Sequence, residues 1–286
     1  MKAVFCIWII GIPLGSVGEE SRMSQIPRPE HPRPDLRRSD WINLNGKWGF
    51  TFDPEDRGLG EEWFLSPERF ETGIVVPFPW ESRLSGVERP DYRGVAWYYR
   101  TFTTPEEWKG RRVFLVFGAV DYEADVWVDG GHLGRHQGGY TPFEFDLSDV
   151  TRDVTEHTVA VRVIDHTDHE TPTGKQVRWY TPSSGIWQTV YLEARGEAYV
   201  EKVLAQTDIT SGSATLHVSI RSATGIEAQL SVESVDSAFR PVKMWTRLEK
   251  GISERGIEFQ VAKPQLWSPE EPALYPFQVT IEIPGK

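Results

Sequence analysis

The chain of 286 residues sets 31 Lys and Arg against 42 Asp and Glu, a net charge of −11, with 39% hydrophobic and 26% charged residues. That length corresponds to about two domains at roughly 150 residues each, and the composition is globular, which excludes disorder as the main state. No basic run exceeds a pair, Arg37-Arg38 or Arg111-Arg112, so an acidic chain of this kind is no nucleic-acid binder by charge. The outlier is aromatic content, 12 Trp, 9 Tyr and 14 Phe, and aromatics in excess on an acidic surface suit the apolar faces of sugar rings.

Met1-Lys2 precedes an apolar run, Ala3 to Leu14, then Gly15-Ser16-Val17-Gly18 and the charged Glu19-Glu20. One positive charge, a short apolar stretch and small residues before a cut after Gly18 predict a signal peptide over 1–18; the alternative is a buried first strand or helix. The run is too short to span a bilayer. Export implies a secreted or periplasmic protein with no membrane partner after cleavage. The only cysteine, Cys6, lies inside that run, so the mature chain has no thiol for disulfides or catalysis. Residues 19–40 read as a Pro-rich arm, because Pro27, Pro29, Pro32 and Pro34 are spaced through an almost wholly polar stretch, which favours extended polyproline conformation.

From Trp41 the chain becomes a series of short β-branched and aromatic runs. Val113 to Phe117, Ala124 to Val128, Val159 to Ile164 and Ile186 to Leu192 have strand length and composition. Asp129-Gly130-Gly131 predicts a hairpin turn, since glycine accepts the positive φ such turns need. Thr104-Pro105-Glu106-Glu107-Trp108 allows one short helical turn. Beyond Gly196 the pattern becomes strict alternation: Leu216, Val218, Ile220; Ala228, Leu230, Val232; Ile257, Phe259, Val261; Phe277, Val279, Ile281. Period-two apolar residues mean strands with one dry and one wet face. The expected fold is all-β: a β-sandwich over 41–195, then a smaller immunoglobulin-like sandwich over 196–286.

Chemistry is sparse. Asp165-His166-Thr167-Asp168-His169-Glu170 has metal-ligand residue types, but a loop before Pro172 and Gly174 need not point them at one place; a solvated loop or polar contacts to a ligand explain it as well. His132 and His136 flank a Gly-rich hairpin and make a weaker metal case. Gly-x-Ser-x-Gly is absent, and the glycine pairs lack the strand-to-helix context of a phosphate loop. Paired carboxylates for glycoside hydrolysis cannot be picked from 42 acidic residues by counting. No metal or cofactor is expected. The better binding candidates are Arg178-Trp179-Tyr180 and Pro90-Asp91-Tyr92-Arg93-Gly94, where flat apolar faces accompany hydroxyl-bonding groups. The same aromatics could equally plug the end of the sandwich.

These residues also resemble glycoside hydrolase family 2, the β-galactosidase, β-glucuronidase and β-mannosidase group. In chain order the resemblance rests on Leu44-Asn45-Gly46-Lys47-Trp48, Val76-Pro77-Phe78-Pro79-Trp80, Gly94-Val95-Ala96-Trp97-Tyr98-Tyr99-Arg100, and Phe117-Gly118-Ala119-Val120 with Ala124 to Gly130. It continues through His136-Gln137-Gly138-Gly139-Tyr140-Thr141-Pro142-Phe143-Glu144, Ser184-Gly185-Ile186-Trp187 and Leu266-Trp267-Ser268-Pro269-Glu270. It implies a jelly-roll (galactose-binding-like) sugar-binding domain and an immunoglobulin-like domain ahead of a (β/α)8 barrel that carries two catalytic glutamates, the acid/base one after an Asn. The only asparagines, Asn43 and Asn45, are not followed by Glu. The resemblance thus implies a non-catalytic N-terminal portion, inactive alone, with carbohydrate and a barrel in cis as partners. Its first domain would lend pocket-rim residues from 168–184, Asp168, Lys175, Gln176, Arg178, Trp179 and Tyr180, while Asp91 and Arg93, with Arg178 and Trp179, are the residues that would hold glycans in a self-standing binding protein. An Arg93-Gly94 pair where some β-galactosidases place an Asn argues against galactose. The alternative is a self-standing secreted carbohydrate-binding protein.

Overall fold

The computed structural model describes residues 26–152, 155–166 and 180–285. The signal-peptide reading falls outside the described residues, as does most of the loop 168–184. The structure is all-β, and the chain divides into two units.

Among the described residues the first unit, built on 41–194, holds twelve strands. They are β1 (Trp41–Asn43), β2 (Gly46–Phe52), β3 (Thr72–Val76), β4 (Gly94–Thr103), β5 (Arg112–Phe117), β6 (Val120–Asp121), β7 (Glu123–Val128), β8 (Gly131–Gln137), β9 (Phe143–Asp146), β10 (Glu156–Asp165), β11 (Gly185–Ile186) and β12 (Val190–Arg195). They form a jelly-roll sandwich of a six-stranded sheet, β3-β2-β4-β10-β7-β8, a four-stranded sheet, β1-β12-β5-β9, and the pair β11-β6. The predicted hairpin turn is there: Asp129 and Gly130 take φ of 49° and 78°, and Val128 faces Gly131 across it. The short helical turn is a 3-10 turn at Glu106–Trp108.

The continuous apolar runs of this unit follow from burial on two faces. Val159, Val161 and Val163 enter the core between the sheets, while Ala160 and Ile164 join a second apolar cluster with Trp63, Trp97 and Trp127. That second cluster exists because the segment between β2 and β3 folds back over the six-stranded sheet. Phe64 stacks on Trp127 at 5.1 Å and Phe70 on Tyr99 at 5.0 Å. Buried Asp53 fixes the fold-back, accepting hydrogen bonds from the backbone N–H of Arg57 (2.9 Å) and Gly58 (2.8 Å) and from the indole of Trp97 (3.1 Å). Gly58 is required there, since a Cβ would lie 2.5 Å from Trp97 Nε1.

Two sequence expectations are corrected here. The run Ile186 to Leu192 is not one strand but two, β11 and β12, because Trp187 turns away and its indole N–H donates to Gly139 O at 2.7 Å. The aromatic excess is mainly packing material rather than sugar-facing surface: Trp48, Trp63, Trp80, Trp97, Trp108 and Trp127 are all buried.

The second unit, residues 195–285 with 33–40 packed on it, has β13 (Ala198–Asp208), β14 (Ser213–Ser222), β15 (Ile226–Ser234), β16 (Val242–Leu248), β17 (Gly251–Gln260) and β18 (Phe277–Glu282). Two three-stranded antiparallel sheets, β13-β14-β17 and β16-β15-β18, give an immunoglobulin-like sandwich. Alternation is realised as read: Leu216, Val218, Ile220, Ala228, Leu230, Val232, Ile257, Val279 and Ile281 share one core. The Pro-rich arm is not merely a spacer. Leu36 is buried in this core, and the Arg38 guanidinium donates to Val200 O. Among the described residues no helix is long and apolar enough to cross a membrane.

Candidate functional site: a buried carboxylate cluster

Strand register brings together polar residues that are far apart in sequence. Asp165, the last residue of β10, faces Gly94 at the start of β4, so Arg93 arrives beside it. Gly185 of β11 faces Asp121 of β6, which sets Ser184 at the same end of the sandwich. Glu81 follows the turn after β3, whose Val76-Pro77 bond is cis. Buried Trp80 holds that turn against Phe52, rings 5.7 Å apart.

The contacts are direct. Arg93 Nη1 lies 3.1 Å from Glu81 Oε1, and Arg93 Nε lies 3.2 Å from Asp165 Oδ2. The Ser184 backbone N–H donates to Glu81 Oε2 at 3.1 Å, and Ser184 Oγ sits 2.5 Å from Glu81 Oε1 and 2.6 Å from Asp165 Oδ2. Asp121 is 8% exposed and abuts the backbone of Gly139, where a Cβ would lie 2.6 Å from Oδ1. Gly139 leads to Tyr140, which is exposed and sets its ring edge-on to Trp187 at 5.6 Å. Alongside, buried Glu123 accepts from Gln137 Nε2 at 2.6 Å, meets His166 Nε2 at 2.8 Å and pairs with Arg135.

Burial dominates the electrostatics, because taking a carboxyl out of water penalises its charged form. It raises Glu81 and Asp165 above the usual carboxylate range against the opposing hydrogen bonds of Ser184 and the charge of Arg93. It pushes Asp121 up to about 7, with the neighbouring Asp165 and Glu81 adding to the rise. Tyr98, fully buried, donates no charge; burial drives its phenol far up, and its oxygen accepts from Ile186 N at 3.3 Å.

Chemically the cluster anchors rather than attacks. The space between Glu81 and Asp165 is filled by Ser184 Oγ, so this pair leaves no room for a glycosidic bond between its carboxyls.

Of the residues predicted from sequence, Arg93 turns inward to the cluster, but Asp91 does not follow. Asp91 stays exposed on Arg89 at 3.2 Å, and the Arg89 hydrogen bond holds its carboxyl below the usual range. Tyr92 packs on Phe52 with rings 4.0 Å apart and donates its hydroxyl to Val95 O at 2.6 Å. Burial pushes that phenol up to about 12. Tyr180 is 66% exposed. Asp168, Lys175, Gln176, Arg178 and Trp179 lie outside the described residues. His132 meets Asp125 at 3.1 Å, and His136 stacks on Phe143 at 4.1 Å. Among the described residues no group of three or more His, Cys, Asp or Glu is placed to hold a metal. Glu81, Asp121 and Ser184 escaped sequence reasoning. The one available signal was their position, each beside a dense apolar run, where a polar residue has little access to water.

A jelly roll followed by an immunoglobulin-like sandwich defines a modular all-β protein. Residues 42–195 match the family model described as glycosyl hydrolases family 2, sugar binding domain, and residues 198–286 match that of glycosyl hydrolases family 2. The chain therefore belongs to glycosyl hydrolase family 2. It is 26% identical over 257 residues to a β-glucuronidase of Paenibacillus borealis, covering 84% of this chain and 42% of that protein. A β-galactosidase of Thermoanaerobacter pseudethanolicus is 27% identical, covering 85% of this chain and 33% of that protein. In fold it is similar to Bacteroides uniformis β-glucuronidase, with a TM-score of 0.69, 24% identity, and coverage of 85% of this chain and 30% of that one. The chain thus spans well under half the length of the curated relatives it matches.

Proposed function

We propose that these residues are the non-catalytic N-terminal portion of an exported family 2 glycoside hydrolase. In the whole enzyme a (β/α)8 barrel in cis would hydrolyse O-glycosyl bonds with retention. The jelly roll and the immunoglobulin-like domain would buttress that barrel, and the loop 168–184 would shape the rim of its sugar pocket. The observation that carries this reading is the match of both modules, in order, to one family, of which this chain covers 42% of one curated member and 33% of another. The cluster supports it by tying down Ser184, the end of the proposed rim loop.

The test combines two measurements. The protein isolated from its source is expected to exceed the mass of this chain by a barrel, and residues 26–286 alone are expected to leave aryl β-glucuronides and β-galactosides intact. Turnover by this chain alone overturns the proposal. A native mass without a barrel, with retention on a glycan array, would favour the self-standing carbohydrate-binding protein instead.

A further inference from the structure

We infer that Glu81 and Asp165 share a single proton across the Ser184 hydroxyl, which makes the β6–β11 end of the first unit a pH-responsive anchor. The inference is stereochemical and stands apart from the proposed glycosidase role.

A hydroxyl carries one hydrogen, yet Ser184 Oγ lies 2.5 Å from one carboxyl oxygen and 2.6 Å from another. Both separations fall at the short end of the range of about 2.5–3.0 Å for O–H···O bonds, so each needs a hydrogen between its oxygens. With both carboxyls ionised, Ser184 donates to one, and the other faces bare lone pairs. The second hydrogen has to sit on a carboxyl. The arrangement is then a chain in which a neutral carboxyl donates to Ser184 Oγ and Ser184 donates to a carboxylate.

Charge counting agrees. Among the described residues Arg93 is the cation in contact with both acids. One shared proton leaves the pair with a single negative charge, which Arg93 neutralises. Among the described residues, other groups facing the chain come from the neighbouring strands. Tyr98 of β4 is a neutral phenol. Asp121 of β6 adds a third buried acid. Glu123 of β7 is occupied by Gln137 and Arg135 of β8 and by His166, which also bears weakly on Asp165. Ionisation of the shared proton releases it to solvent and leaves Glu81, Asp165 and Asp121 facing Arg93. Ser184 Oγ can then donate to only one of the two carboxylates, while the Ser184 backbone N–H still bonds Glu81. The turn into Gly185, which pairs with Asp121, loses an anchor.

Infrared difference spectra of the full chain, titrated from about pH 6 to about pH 9, test this directly, since ordinary carboxyls are almost wholly ionised across that range. The expected result is a C=O stretch of protonated carboxyl at about pH 6 that fades as pH rises. Glu81→Gln and Asp165→Asn should each remove a part of that band that Asp121→Asn leaves in place. A wild-type spectrum with no protonated carboxyl at about pH 6 overturns the inference without recourse to any variant. So does a band that survives both Glu81→Gln and Asp165→Asn.

Discussion

The two sandwiches solve the burial problem differently. In the second, each sheet keeps a wet face, and β14 alternates buried Leu216, Val218 and Ile220 with outward His217 and Ser219. In the first, the inner strands β4, β10 and β7 of the six-stranded sheet are buried on both faces, and the sheet closes around a polar cluster at one end. The lesson concerns risk. A one-core sandwich fails by losing apolar contacts, whereas a sheet buried twice over, with acids inside, also depends on satisfying groups that water once served.

Substitutions can sharpen that contrast, read by calorimetry that resolves the two units. Trp97→Ala should cost the first unit about 3–5 kcal/mol, because it empties the outer cluster and takes a donor from buried Asp53. The second transition should stay put; if both fall together, the two cores are not independent. Leu230→Ala should cost the second unit about 2–5 kcal/mol by the cavity alone, toward the low end if the small core can close up. Gly58→Ala, forced against Trp97, should cost the first unit about 1–3 kcal/mol through overpacking.

The pH response separates the units more finely. A carboxyl whose folded pKa is raised stabilises the fold fully below its ordinary range, and that stabilisation is lost as pH rises through the folded value. For Asp121 the window runs from 3.8 to about 7. The first unit should therefore melt lower at pH 8 than at pH 5 through this group, and Asp121→Asn should flatten that slope. An unchanged slope in the variant would remove Asp121 from the account. The smallest effect is expected at Trp245, 63% exposed on β16, where Ala should shift stability by no more than about 0.5 kcal/mol.

What was legible in the sequence tracks the number of wet faces. β14, β15 and β18 announced both their strand and their buried side, since alternation encodes the two together. β7 and β10 announced strands but not sides, because Trp127 and Ala160 point into a second cluster that no local pattern reveals. Ile186 to Leu192 hid its break, as the chain departs there to satisfy Gly139, a partner 48 positions away. The site was least legible. Glu81 and Ser184 lie 103 residues apart, and nothing local distinguishes a carboxyl destined for burial from one left in solvent. Arg93 was singled out as a hydroxyl-binding fork, and its position is set by strand register between β4 and β10.

The N-terminal arm bears on where this protein tolerates a cut. Asn45 donates to Pro27 O at 3.0 Å, Asn43 donates to Arg28 O at 2.8 Å, and His31 sets its ring edge on Trp41 at 4.8 Å, all within the first unit. Leu36 separately fills the second core. Trimming the chain back to its first strand would strip hydrogen-bond partners from one domain and open a leucine-sized hole in the other. A protease that nicks between Leu36 and Trp41 would thus detach the contacts of both domains with one cleavage, even though the bond it breaks belongs to no strand, whereas a cut before Leu36 would spare the second core.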